Sequence, residues 1–174
     1  QRGTSYGYPL CTVGSHVSAC PNHQTGRTVP MKTRGIVAQS GTFGYELNPA
    51  LLSDEERTEI REQIKSFRKL RPLLAEGDYY RLDEIGSPDD YTAWMVVSPD
   101  RREAVVNLVV THVRANAPFP YLRLCGLDPE CIYTSEETGE ELSGAALMHG
   151  GYTCPLMTGD YPAICMHWIS KEKA

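Results

Sequence analysis

Several things are scarce in this sequence, and each shortage excludes something. No apolar run approaches the roughly 18 residues that a membrane-spanning helix needs, so no membrane partner is expected. The N-terminal Gln1-Arg2-Gly3-Thr4 has no apolar stretch of the signal-peptide kind, and with no Met at position 1 the natural start is expected upstream. Positive charge is short: 17 Lys and Arg against 22 Asp and Glu leave a formal charge of -5. The basic residues are also scattered, which argues against a nucleic-acid partner, since phosphate binding needs them clustered. Carboxylates are nearly missing before Asn48, where Glu46 stands alone. That stretch by itself cannot hold a pair of acids for acid–base chemistry.

What is present describes a globular chain: 41% apolar and 22% charged residues over 174 positions, enough for one domain or two small ones. Six cysteines, Cys11, Cys20, Cys125, Cys131, Cys154 and Cys165, are even in number and could form three bridges. They are read as reduced. Most have apolar neighbours, and a chain of this length has core enough to fold without disulfide staples, as in a cytoplasmic protein.

Along the chain, residues 1–9 read as the tail of a helix and Leu10 to Val17 as a short buried strand. A polar loop follows. Thr28 is expected to cap a helix with Pro30 in its first turn and Gly41 at its left-handed end, and Thr42 to Leu47 to form the next strand. Ser53-Asp54-Glu55-Glu56 is a capping box. Ile60, Ile64, Phe67 and Leu70 then recur at helical spacing, with Pro72 expected to kink or end the helix. Strand, helix, strand, helix is the rhythm of parallel βα units, and two such units leave a sheet edge open, so they are expected to complete a larger α/β structure.

Past Gly77 the rhythm changes to short strands at 79–82, 91–97, 104–111, 121–124, 132–135 and 164–169, separated by turn chemistry such as Ser98-Pro99-Asp100. The segment from Ala104 to Val110 is apolar on both faces and should be central. Antiparallel strands at this spacing predict a β-sandwich. Trp94 and Trp168 fit core positions better than a sugar-stacking platform, and the acidic runs Asp54 to Glu56, Asp89-Asp90 and Glu136-Glu137 read as solvated surface.

The stretch Gly14 to Arg27 concentrates side chains capable of chemistry: Ser15, His16, Cys20, Asn22, His23 and Arg27 at a strand-to-loop junction. A zinc site from Cys11, His16, Cys20 and His23 lacks a CxxC knuckle, and a Cys20–His23 nucleophile pair lacks a visible orienting group. Half the weight for His16 and His23 goes to hydrogen bonding within the loop, the rest to a ligand or to active-site neighbours.

Gln1-Arg2-Gly3-Thr4-Ser5 with Tyr8-Pro9, then Gly14 to Gln24, Thr33-Arg34-Gly35, Gly41 to Leu47, Glu76 to Leu82, Ala93-Trp94-Met95, Leu122-Arg123-Leu124, Gly126-Leu127-Asp128-Pro129, Ser143-Gly144 and Leu147-Met148 follow one another in order. In this the chain resembles the bacterial α-galactosidases of glycoside hydrolase family 36, in their C-terminal portion. Lys32, where an acid is expected, and Pro72 depart from the pattern. The resemblance implies that residues 1–77 are strands seven and eight of a (β/α)8 TIM barrel with their helices, and 78–174 a C-terminal antiparallel β-sandwich domain. It implies hydrolysis of terminal α-galactose from oligosaccharides such as melibiose and raffinose with retention, no metal or cofactor, and a homo-oligomer of the intact protein. The nucleophile of a Lys-Trp-Asp motif and the acid/base of a Ser-Asp-Asn motif are not in this sequence. No catalytic residue is therefore assigned, and the chain alone is expected to be inactive. Ser15, His16, Asn22 and His23 are expected to form the substrate-pocket wall or the layer behind it. The reading from another class is a non-catalytic β-domain that binds sugar or a neighbouring subunit.

Overall fold

A computed structural model describes residues 3–83 and 90–171. Within it the chain divides into two compact units, Gln1–Ala75 and Glu76–Ala174.

In the first unit, β1 (Gly14–Ser18) and α1 (Met31–Ala38) are followed by β2 (Thr42–Glu46) and the long helix α2 (Asp54–Glu76). The strands pair in parallel, Ser15 opposite Phe43 and Val17 opposite Tyr45. Alternation gives the pair two unlike faces. Ser15 and Val17 are buried, and Phe43 on the same face stacks on Phe67 of α2 at 4.8 Å. The other face carries Gly14, His16, Ser18, Gly44 and Glu46.

The capping box forms as expected: Glu56 N–H donates to Ser53 Oγ at 3.2 Å and Ser53 N–H to Glu56 Oε2 at 3.1 Å. Three expectations need correcting. Residues Thr4–Tyr6 and Leu10–Thr12 are single 3-10 turns, so neither an N-terminal helix tail nor a strand start at Leu10 is present. Pro30 itself precedes α1 with extended backbone and no side chain caps it, while Gln39 in right-handed conformation ends it, so Thr28 and Gly41 do not have the roles assigned. Pro72 lies inside α2 without ending it. Buried Leu70 and Leu73 on either side hold the turn in place at the cost of one backbone hydrogen bond.

A buried amide binds this unit together. Gln63 Nε2 donates to Met31 O at 3.0 Å, its Oε1 accepts from Tyr45 Oη at 2.9 Å, and its carbonyl accepts from Gln39 Nε2 at 3.3 Å. Helices α1 and α2 and strand β2 therefore meet at one side chain. Burial, with Glu59 adding a smaller push, raises the Tyr45 hydroxyl to about 12.

The second unit is all antiparallel. Strands β3 (Asp78–Arg81), β4 (Tyr91–Val97), β5 (Glu103–Val110), β6 (Tyr121–Leu122), β7 (Ile132–Ser135), β8 (Glu141–Ser143), β9 (Tyr152–Thr153) and β10 (Ala163–Ser170) make two sheets. One has the order β3-β4-β5-β10-β7-β8, the other is the β6-β9 pair. As its two apolar faces require, β5 lies inside the large sheet. Met95 stands opposite Val106, and Val106 opposite Met166. These side chains share a core with Leu122, Leu124, Leu127, Leu147 and Trp168. Trp168 is fully buried and Trp94 nearly so, which places both in the interior. The expected strand at 121–124 is only two residues long. Strands β8 and β9 and a π-helical turn at Ala146–Gly150 were not expected.

Glu136 and Glu137 are exposed, as the surface reading expects, and from there they also hold a buried histidine. His167, 4% exposed, has Nδ1 2.7 Å from Glu136 Oε2 and Nε2 2.6 Å from Glu103 Oε1. Its backbone N–H donates to both Glu137 oxygens, at 3.1 and 2.9 Å. Two carboxylates thus meet the imidazole and a third the backbone N–H of the same residue, across β5, β10 and the turn after β7. Asp89 and the opening Gln1-Arg2 lie outside the described residues.

Candidate functional site

Parallel pairing brings the C-terminal ends of β1 and β2 to the same side, so Ser18 stands opposite Glu46. His16 and Glu46 lie two register positions apart on the polar face. Their side chains meet, Nε2 to Oε2 at 2.6 Å, with the imidazole 48% and the carboxylate 75% exposed. The one carboxylate of the first 47 residues is therefore the partner of the first histidine, a pairing that sequence distance hides.

Beyond Ser18 the chain runs through a cis Cys20–Pro21 peptide into the loop. Asn22 organises that loop from within: Oδ1 accepts from the N–H groups of Gln24 and Thr25 at 3.1 and 3.0 Å and from the Thr25 hydroxyl at 3.1 Å. Its own N–H donates to Arg27 O at 2.9 Å, and its carbonyl accepts from Gly26, whose φ of +68° suits glycine. Short side-chain amides take this part in turns because they imitate a backbone carbonyl. Arg34 of α1 closes the arrangement, donating through Nη1 to Ser18 O at 2.6 Å and through Nε to Val29 O at 3.0 Å. The guanidinium fixes the strand end and the loop end to one helix.

These residues surround a cavity of about 430 Å³ whose lining includes Ser15, His16, Asn22, Arg27 and Arg34. Of the four residues singled out from sequence, three therefore line one cavity. Ser15 does so from the buried, helix-facing side of β1. His23 is exposed in the loop and is not part of the lining. Glu46 and Arg34 were missed as partners of this site; the signal for Arg34 was an arginine in the first turn of the helix directly after the loop. Among the described residues, no three of His, Cys, Asp or Glu come together as metal ligands would. The arrangement offers hydrogen-bond donors and acceptors on an open, polar strand face, and among the described residues the cavity lining holds no carboxylate.

Comparison with known proteins covers almost all of the chain. The family model described as Melibiase matches residues 1–77, and that described as Glycosyl hydrolase family 36 C-terminal domain matches residues 91–168. The bifunctional alpha-galactosidase/sucrose kinase AgaSK of Mediterraneibacter gnavus is 51% identical over 163 residues, covering 94% of this chain and 17% of that protein. The solved galactosidase domain of AgaSK superposes with a TM-score of 0.94 at 48% identity, over 98% of this chain and 24% of that one. The alpha-galactosidase AgaA of Geobacillus stearothermophilus, solved in complex with raffinose, gives a TM-score of 0.94 at 40% identity over the same shares. The chain thus spans less than a quarter of the length of these relatives.

Proposed function

The chain belongs to glycoside hydrolase family 36, as a C-terminal portion, and from that premise we propose that it completes a retaining α-galactosidase. The intact protein removes terminal non-reducing α-D-galactosyl residues from oligosaccharides such as melibiose and raffinose. Its first unit is the last two βα units of a TIM barrel, and its second closes into a C-terminal β-sandwich.

One observation carries this reading: the β1–β2 pair has a buried apolar face against its helices and an open polar face with His16 and Glu46 near the strand ends. A free-standing two-stranded parallel sheet is not a stable unit. In a closed barrel the helix-covered face lies outside and the opposite face points inward, with chemistry gathered at the C-terminal strand ends. In that setting the His16–Glu46 pair and the loop that Asn22 organises form the pocket wall, Ser15 stands behind it, and His23 lies exposed in the same loop. They shape and orient; they do not transfer protons or form the glycosyl bond. Retaining hydrolysis takes two carboxyl groups about 5–5.5 Å apart, one as nucleophile and one as acid then base. This chain holds neither of the aspartate motifs, so those groups come from the rest of the protein. The same reading makes the intact enzyme a cytoplasmic homo-oligomer that needs no cofactor.

The experiment compares this chain with the longer protein that carries it, using a chromogenic α-galactoside. The chain alone gives background and the longer protein turns over. Asn22→Ala in the longer protein lowers kcat/KM by about tenfold or more, because a loosened loop misplaces the wall against the sugar. Clear turnover by this chain alone overturns the proposal.

A further inference from the structure

The second unit holds a cavity with the chemistry of a small-molecule site, separate from the one described above. Its volume is about 400 Å³, within the range of ligand pockets, and its edge carries Phe119, Tyr121 and Leu156, which are 53%, 44% and 66% exposed. Large apolar side chains gathered in the open around one cavity mark a binding surface. The aromatic edge is held firmly. The Tyr121 hydroxyl donates to Gly150 O, the Tyr91 hydroxyl donates to Tyr121 O at 3.1 Å, and a Cβ at Gly151 would lie 2.4 Å from the Tyr121 ring. Pro118 and Pro120 restrict the backbone on both sides of Phe119. Pre-set side chains lose little freedom when a ligand arrives.

The polar part of the cavity is one charged trio. Asp90 pairs with the Arg114 guanidinium, and His112 Nδ1 lies 3.6 Å from its other oxygen. Asp90 uses only part of the five-donor fork of Arg114, so donors and a carboxylate stand together at the cavity wall. A fully apolar occupant would strip water from this charged trio and put no hydrogen-bonding group in its place. An anionic ligand would meet Asp90. A ligand with one apolar ring face and a rim of hydroxyls satisfies both halves, and a pyranose is such a molecule: axial C–H bonds on one face, hydroxyls able to donate and accept around the edge.

The geometry points to a second, non-catalytic sugar site here, formed by Phe119 and Tyr121 as the stacking edge and Asp90, His112 and Arg114 as the hydroxyl-binding end. That the sugar is a galactosyl oligosaccharide rests on the function proposed above; the pocket does not. Such a site would hold substrate near the enzyme, raising its effective concentration at the catalytic pocket.

The test titrates methyl α-galactoside and raffinose, to about 10 mM, into the full 174-residue chain and reads binding by calorimetry and saturation-transfer NMR. The expected dissociation constant is on the order of 1 mM. Phe119→Ala weakens it by about tenfold or more, and Arg114→Ala by about fivefold, with the melting temperature unchanged because both side chains are exposed. Absence of saturable binding overturns the site. Binding that is the same in both variants places the sugar elsewhere in the chain and also overturns it. Concentration-dependent self-association abolished by Phe119→Ala, without sugar binding, makes the surface a contact between copies and overturns it too. The hydrolysis assay on the longer protein is separate, so failure here and failure of the proposed function are told apart.

Discussion

The two units differ in what their interiors are made of. Among the described residues, the buried side chains of the first unit are five apolar (Val17, Ile36, Ala38, Leu70, Leu73) and five polar (Ser15, Thr33, Gln39, Ser40, Gln63). The second unit buries twenty apolar residues and only Asn107, Ser135 and His167 among the polar ones. The second is thus a domain with its own hydrophobic core. The first is held by specific hydrogen bonds around Gln63 and has a strand pair with open edges. What a sheet of two strands lacks in burial it must find in further strands. The lesson is that a segment can be well defined locally and still be a part.

The contrast is broken most directly in the second unit's core. Trp168 is fully buried and its ring packs edge-on to Tyr152 at 5.3 Å. Trp168→Ala should cost about 3–5 kcal/mol in chemical denaturation followed by near-UV circular dichroism. Val17→Ala, the fully buried position of β1, should cost about 1.5–3 kcal/mol. A loss below that of Val17→Ala at Trp168 would mean that the second unit is not the better packed of the two.

A smaller and more local effect sharpens the other half of the comparison. A Cβ at Gly35 would lie 2.4 Å from Gln63 Cδ. The Gln63 side chain cannot swing aside without giving up Met31 O and the Tyr45 hydroxyl. Gly35→Ala should therefore destabilise by about 1–3 kcal/mol. If the amide is the cause, Gly35→Ala adds little in a Gln63→Ala background, a coupling that a double-mutant cycle measures directly. Additive losses would place the strain elsewhere in α1.

These differences were only partly legible in the sequence, for identifiable reasons. Ser53 and Glu56 three apart before an apolar stripe can be read because capping is a local matter, and the doubly apolar run from Ala104 to Val110 can be read because central strands bury both faces. Strands β8 and β9 have three and two residues, too few to show alternation. His16 with Glu46, and His167 with Glu103 and Glu136, are pairings across 30 to 64 positions set by register, which no spacing rule reports. The candidate site residues were chosen by chemical type and by resemblance, while the contacts around them, Arg34 to Ser18 above all, depended on where α1 landed.

Alkali should act on both units, through different groups. Burial raises the Tyr45 hydroxyl from 10.0 to about 12 in the first unit and the Cys154 thiol from 9.0 to about 12 in the second. Both folded-state values lie above the unfolded ones, so the folded protein keeps protons that the unfolded chain releases. The contribution is whole below about pH 9 for Cys154 and pH 10 for Tyr45, and is lost as pH rises toward 12. Melting temperature measured from pH 8.5 upward should fall, and Cys154→Ala should flatten the early part of that fall more than Tyr45→Phe does. An unchanged slope in Cys154→Ala would mean the thiol is reached by solvent in the native state, which its 1% exposure argues against.

The smallest expected effect on stability says most about the polar face of β1 and β2. His16 and Glu46 meet at 2.6 Å, yet both are well exposed, and ion pairs in water contribute little because solvation and side-chain freedom offset the attraction. Glu46→Gln should therefore change stability by no more than about 0.5 kcal/mol, in either direction. In the longer protein the same substitution should lower kcat/KM for an α-galactoside, because the imidazole loses the partner that sets its position in the wall. A side chain that is nearly silent in folding and audible in turnover is one the first unit keeps for the site. A loss of stability as large as that of Gly35→Ala, with turnover unchanged, would make the pair a structural tie between the strands and remove His16 from the wall.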